Sequence, residues 1–174
     1  MVTKARAPID LEIRPDAGTL RLLRQHKELA PRAIKMGLDA VVTEAVGEVK
    51  KTITDIELID KGRLRASIMG EISPDGKKGI IGSDVKYAAI HEYGGVIKPK
   101  RAKMLAFQVQ SGSQIVGKSG KRLKNPKKIS KWVFAKKVTI KEKRYMRGTI
   151  ERMQSSGKIE SLFAAGVRQA IEKF

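Results

Sequence analysis

The chain has no cysteine, a single tryptophan and only 5% aromatic residues among its 174 positions. Without thiols there is no disulfide, no thiol nucleophile and no zinc–thiolate centre. No run approaches the roughly 18 apolar residues that a membrane-spanning helix requires. The residues from Met1 to Pro8 lack the apolar stretch of a secretory signal, so a cytosolic compartment is expected. Acids are scarce as well: 18 Asp and Glu face 37 Lys and Arg, for a net charge of +19 and a pI near 10.3.

What is present suits a folded chain. At 41% hydrophobic and 32% charged, the composition allows a genuine core under a solvated surface. The expected organisation is a single α+β domain over residues 1–174. The charge is concentrated: Lys98 to Arg147 holds 17 bases and one acid, Glu142, whereas the rest of the chain is near balance. Such a block repels itself unless it is extended, multimerised against acidic partners or laid on a polyanion. Nucleic acid is the first suspect, held by counterion release without sequence preference. Aromatics that could stack on bases are few in this block, namely Phe107, Trp132, Phe134 and Tyr145. Trp132 and Phe134 stand two apart, as on one face of a strand, and core packing is the expected role of both.

Pro15-Asp16 opens a helix expected to run through Ala30, with Leu20, Leu23 and Leu29 on its apolar side. Pro31 suits the first turn of a second helix. Its stripe of Ile34, Leu38, Val41, Val42, Ala45, Val46, Val49 and Ile53 has helical period. Asp60 is expected to cap a short turn carrying Leu64 and Ile68. Two strands, Ile68–Ile72 and Gly79–Gly82, flank the turn chemistry of Ser73-Pro74-Asp75-Gly76. Asp84 is expected to cap a helix through Tyr93, stopped by Gly94-Gly95. Val96-Ile97, Met104–Val109 and Trp132–Ile140 read as strands. Between the last two, residues 110–130 carry Gly, Ser, Lys and Pro126 with almost no apolar pattern, and a protruding basic loop or hairpin tip is expected. A short helix from Thr149 and an amphipathic one from Ile159 to Phe174 close the chain. The expected class is therefore α+β, a small antiparallel sheet packed by N-terminal and C-terminal helices with a long basic hairpin or loop.

Three motifs tempt and fail. Gly112-Ser-Gln-Ile-Val-Gly117-Lys118-Ser119 fits the phosphate-loop pattern, but the continuation Gly120-Lys-Arg-Leu-Lys-Asn-Pro126 is poor helix material, and no Asp follows position 119 to hold magnesium. His91-Glu92 is half of a zinc motif, but Gly95 stands where the second histidine belongs. A helical imidazole with a satisfied hydrogen bond is the expected role of His91. The acids Glu44, Glu48, Asp55, Glu57 and Asp60 are spaced as on a solvent-facing helix side and loop. Neither metal, cofactor nor catalytic residue is expected.

Three segments in order carry a family resemblance: Gly62-Arg-Leu-Arg-Ala-Ser-Ile68, Val85-Lys-Tyr-Ala-Ala-Ile-His-Glu-Tyr-Gly-Gly95 and Lys137-Val-Thr-Ile-Lys-Glu-Lys-Arg-Tyr-Met-Arg147. Together they resemble the tailed-bacteriophage morphogenesis proteins, the small neck and tail-completion proteins described as HK97 gp10-like or Mu gpG-like. The resemblance spans roughly residues 60–155. The chain departs from the family at Glu142-Lys143, where Pro or Ala is usual, at Gly148, where Pro is frequent, and in its unusually basic loop.

The resemblance implies a non-enzymatic structural virion protein at the head–tail neck, present in the host cytoplasm during assembly. It implies a ring of identical subunits, six-fold by analogy, against neighbouring neck, connector and tail tube or sheath proteins, with non-specific contact to packaged DNA an open alternative and no membrane. The fold motif is expected at Tyr87, His91, Glu92, Tyr93, Gly94, Gly95, Arg144, Tyr145 and Arg147, with Tyr87, Ile90 and Tyr93 burying one side. Assembly contacts are expected from Lys98, Lys100, Arg101, Lys103, Lys118, Lys121, Arg122, Lys124, Lys127 and Lys128. The rivals are a non-sequence-specific nucleic-acid-binding protein using residues 98–147, and a small nuclease or phosphotransferase using the scattered carboxylates.

Overall fold

The computed structural model describes residues 9–11, 13–58, 62–111 and 129–173. They form two compact units, one from Met1–Gly94 with Glu142–Phe174 and the other from Gly95–Lys141.

The first unit is built on one long helix. Strand β1 (Ile9–Leu11) leads to α1 (Ala17–Gln25), whose first turn is capped by Asp16 accepting from the Thr19 amide at 2.7 Å. The helix stops at Gln25 rather than continuing to Ala30. Pro31 can neither donate an amide hydrogen nor clear the preceding turn, so the helix must restart with the proline in its own first turn. That restart is α2 (Ala30–Asp55), which buries Ala33, Leu38, Val41, Val42, Ala45, Val49 and Ile53. Each large apolar side chain so buried contributes about 1.5–3 kcal/mol of transfer free energy.

Helix α3 (Arg63–Ala66) starts from Gly62; the expected cap, Asp60, lies outside the described residues. Strands β2 (Ile68–Ile72) and β3 (Gly79–Ser83) follow, then α4 (Ala88–Tyr93), α5 (Arg147–Ser155) and α6 (Lys158–Lys173). The sheet is antiparallel with order β1-β3-β2, and Ile81 on the central strand faces Ile9 on one side and Gly70 on the other. β1 was not expected from the sequence; at three residues it is too short to show an alternation. Helix α2 lies against this sheet and against α6. Its crossing with α6 is set by two glycines: a Cβ on Gly166 would lie 2.8 Å from Gly37 Cα and 2.9 Å from the Met36 carbonyl oxygen. Only bare backbone permits that approach.

The second unit has four strands, β4 (Gly95–Ile97), β5 (Leu105–Ser111), β6 (Ile129–Ala135) and β7 (Val138–Ile140), paired as two antiparallel ribbons, β4 with β7 and β5 with β6. The single strand expected over Trp132–Ile140 is thus two, separated at Lys136-Lys137 because each half has a different partner. The β5–β6 ladder ends with Ser111 opposite Ile129. The residues between, on which the basic loop and the phosphate-loop pattern fall, lie outside the described residues. Every buried apolar side chain among the described residues belongs to the first unit. The architecture is α+β, with small antiparallel sheets and helices at both ends of the chain. Among the described residues no helix is long and apolar enough to cross a membrane.

Candidate functional site

Two of the segments that carry the family resemblance meet in the first unit, and they meet at Glu92. Helix α4 points this side chain inward on the same face as Ala88, four residues earlier, and both are fully buried. Glu92 Oε2 accepts from the Met146 amide at 2.8 Å, and Oε1 accepts from the Arg147 amide at 2.9 Å and from Arg147 Nε at 3.1 Å. Met146 and Arg147 open α5, so the carboxylate caps a helix from another part of the chain and faces the positive end of its dipole. Arg147 also donates from Nη2 to the Glu92 carbonyl and to Glu142 Oε2, each at 3.2 Å, and its guanidinium lies 4.6 Å from the centre of the Tyr93 ring. Both oxygens of Glu92 are engaged, which suits an anchor rather than a proton-transfer group.

The surrounding groups complete the joint. The Tyr145 hydroxyl donates to the Ala88 carbonyl at 3.2 Å, and burial, with the Glu92 carboxylate adding to it, pushes the phenol well above its usual range. The Lys143 and Arg144 amides donate to the carbonyls of His91 and Glu92, at 2.8 and 3.3 Å, satisfying the end of α4. Arg144 Nη2 donates to both carboxylate oxygens of Glu151, at 2.6 and 2.9 Å. Gly94 leaves the helix at φ 70°, a left-handed value that a side chain would resist.

Three expectations about this region are corrected. Tyr87 and Tyr93 do not bury one side of the helix; they are 40% and 47% exposed, because the buried stripe runs through Ala88 and Glu92 instead. The His91 imidazole is not satisfied: Nδ1 is buried without a hydrogen-bond partner, and the ring meets Tyr87 edge-on at 5.9 Å. Burial, and secondarily Lys143, holds its pKa below the ordinary value. Trp132 and Phe134 are not core residues but are 56% and 64% exposed on the β5–β6 ribbon.

Among the expected contact residues, Lys98, Lys100, Arg101 and Lys103 lie exposed in the second unit, as do Lys136, Lys137 and Lys141. Lys118, Lys121, Arg122, Lys124, Lys127 and Lys128 lie outside the described residues. Gly95 begins β4 and faces Ile140. Val96 and Met104 add exposed apolar surface, at 51% and 46%. The scattered carboxylates do not converge. Glu44 and Glu48 both bind Lys158, at 2.6 and 2.9 Å, tying α2 to α6. Among the described residues no group of three acids or histidines is placed to hold a metal.

Glu92 and Arg147 both stood in the expected fold motif, but their pairing, and the capping of α5 by the Glu92 carboxylate, was not read from sequence. No protein-family model matches the chain, and no characterised protein or solved structure matches it either.

Proposed function

We propose that the chain is a structural virion protein of a tailed bacteriophage, a tail-completion or head–tail joining component that assembles as a ring at the neck. The observation that carries this reading is the convergence at Glu92: residues 85–95 and 144–147, two of the three segments resembling the morphogenesis family, form one joint. The exposed apolar side chains of the second unit and its cations support work done by surfaces rather than by a reaction. A ring requires a heterologous contact that closes by rotation, and opposite charge on neck, connector or tail partners would steer docking. Particles assembled without the protein test this: full heads beside finished free tails are expected. Infectious particles from a chain lacking residues 112–128 would remove the basic arm from the account.

A second reading is favoured by one observation, the absence of any acid from Gly95–Lys141. In it this unit grips nucleic-acid phosphates without reading sequence. Affinity for duplex DNA should then fall steeply with salt.

A further inference from the structure

The acid-free stretch and the second unit have the same limits. Gly95–Lys141 contains 14 Lys or Arg and no Asp or Glu, and these residues separate as a compact unit. No cation here has an acidic partner within the unit, so its charge is directed at something outside. A second copy of the chain is a poor candidate: the remaining residues hold 23 bases and 18 acids, themselves net positive. Docking one cationic unit on another would set like charges together.

The ribbon adds flat apolar rings to this charge. Trp132 faces Gln108 and Phe134 faces Ala106 across the β5–β6 ladder, both on one face and both more than half exposed. Two large aromatics open side by side on one face make a patch of the kind that marks an interaction surface, unlike apolar residues scattered singly. Residues two apart on a strand stand about 6.8 Å from each other. Successive nucleotides of a stacked strand advance about 3.4 Å, so the two rings are separated by two base steps. An acidic protein surface would match the lysines and leave the rings unmatched. A duplex offers phosphates but keeps its base faces covered. An unpaired strand offers both.

We propose that the Trp132–Phe134 face of the β5–β6 ribbon binds single-stranded nucleic acid, the two rings stacking on bases while exposed lysines among the described residues of the unit, Lys136 and Lys137 among them, hold the phosphates. The proposal rests on the nucleic-acid reading of this unit and narrows it to unpaired strands. It requires no sequence preference, because every base presents a π-face.

Trp132 is the chain's single tryptophan, so its fluorescence reports occupancy of this face alone. The full-length protein is titrated with a short oligothymidylate, a DNA duplex of the same length, polyglutamate and phosphatidylserine vesicles. The expected result is quenching of Trp132 by oligothymidylate at lower concentration than by any other probe. Phe134→Ala keeps the reporter and should weaken oligothymidylate binding by about fivefold to a hundredfold, the range for losing one stacked base. Duplex binding should hold nearly constant. Trp132→Tyr and Trp132→Ala lack the reporter and are read by the anisotropy of a dye-labelled oligothymidylate: the tyrosine variant should retain the affinity and the alanine variant should lose it. All three variants alter exposed side chains, so folding is preserved. Equal binding of oligothymidylate and duplex, with Phe134→Ala affecting neither, overturns the stacking and leaves the phosphate-gripping reading in place. No affinity for either nucleic acid overturns both. Tighter binding to vesicles or polyglutamate reassigns the face to a membrane or an acidic protein.

Discussion

The Glu92 carboxylate takes both the backbone amide and the Nε of Arg147, at 2.9 and 3.1 Å, although 55 residues separate the two in the chain. The acid is fully buried while the arginine side chain is one-third exposed, so the two ends of this contact should respond differently to mutation. Glu92→Ala would leave two helix-opening amides and the Arg147 Nε without their acceptor. The expected cost is about 3–5 kcal/mol, as for a broken buried ion pair. Glu92→Gln keeps one acceptor oxygen and should cost less. Arg147→Ala should cost less than Glu92→Ala, since the amides of Met146 and Arg147 would still hold the carboxylate. Urea midpoints for the three variants check the order, and equal losses would refute the anchoring role.

How much of this was legible beforehand depends on the period involved. The α2 stripe repeats over several turns, so its helix and its buried face could both be read from sequence. The Ser73–Gly76 turn and the Gly94 stop could be read from backbone chemistry. The exposure of Trp132 and Phe134 could not, because alternation shows that i and i+2 share a face but not which face is covered. Val133 and Ala135 make the opposite face equally apolar. Tyr87, Ile90 and Tyr93 mislead for a similar reason: their spacing of three mimics a stripe, while the true one steps by four from Ala88 to Glu92. The partner that makes Glu92 tolerable inside lies in a distant segment, and no local pattern announces it.

The two glycines at the α2–α6 crossing, Gly37 and Gly166, should behave unlike Gly47, a third glycine further along α2. A Cβ on Gly166 would run into the backbone of Met36 and Gly37, which cannot swing aside as a side chain can. Gly166→Ala is expected to destabilise by about 1–3 kcal/mol, the usual cost of overpacking. Gly47 has nothing within 4 Å of its would-be Cβ. Gly47→Ala should therefore stabilise by about 0.5–1 kcal/mol, as expected for a helix interior. Thermal melts of the pair should move in opposite directions.

His91 should make stability depend on pH. Burial lowers its folded-state pKa below the ordinary imidazole value, so the unfolded chain binds the proton more readily. Stability is then complete above the unfolded value and declines as pH falls from there toward the folded value. Tyr87 meets the ring edge-on, and the Lys143 charge also disfavours the imidazolium. His91→Phe preserves an aromatic ring against Tyr87 and removes the titration. Urea midpoints taken at intervals from neutral pH into the mildly acidic range should fall for the parent chain and flatten for the variant. A parallel decline in both would assign the dependence to the acids instead.

Arg144 carries a backbone cost that its side chain offsets. Its φ of 48° lies in the left-handed region, worth roughly 1–2 kcal/mol against an L-residue. Its ion pair with Glu151 is 46% and 57% exposed, and such pairs return about 0.2–1 kcal/mol. Arg144→Gly loses the pair and some chain entropy but relieves the backbone, so its stability should change little. Arg144→Val loses the pair, keeps the strained φ and adds a branched Cβ, so it should fall by more than about 1 kcal/mol. The amide at this position can still donate to the Glu92 carbonyl in either variant, which keeps the comparison within one fold. Urea midpoints at unchanged slope measure the difference. If the glycine variant fell as far as the valine variant, the contact with Glu151 would be what this position provides, and the backbone argument would fail.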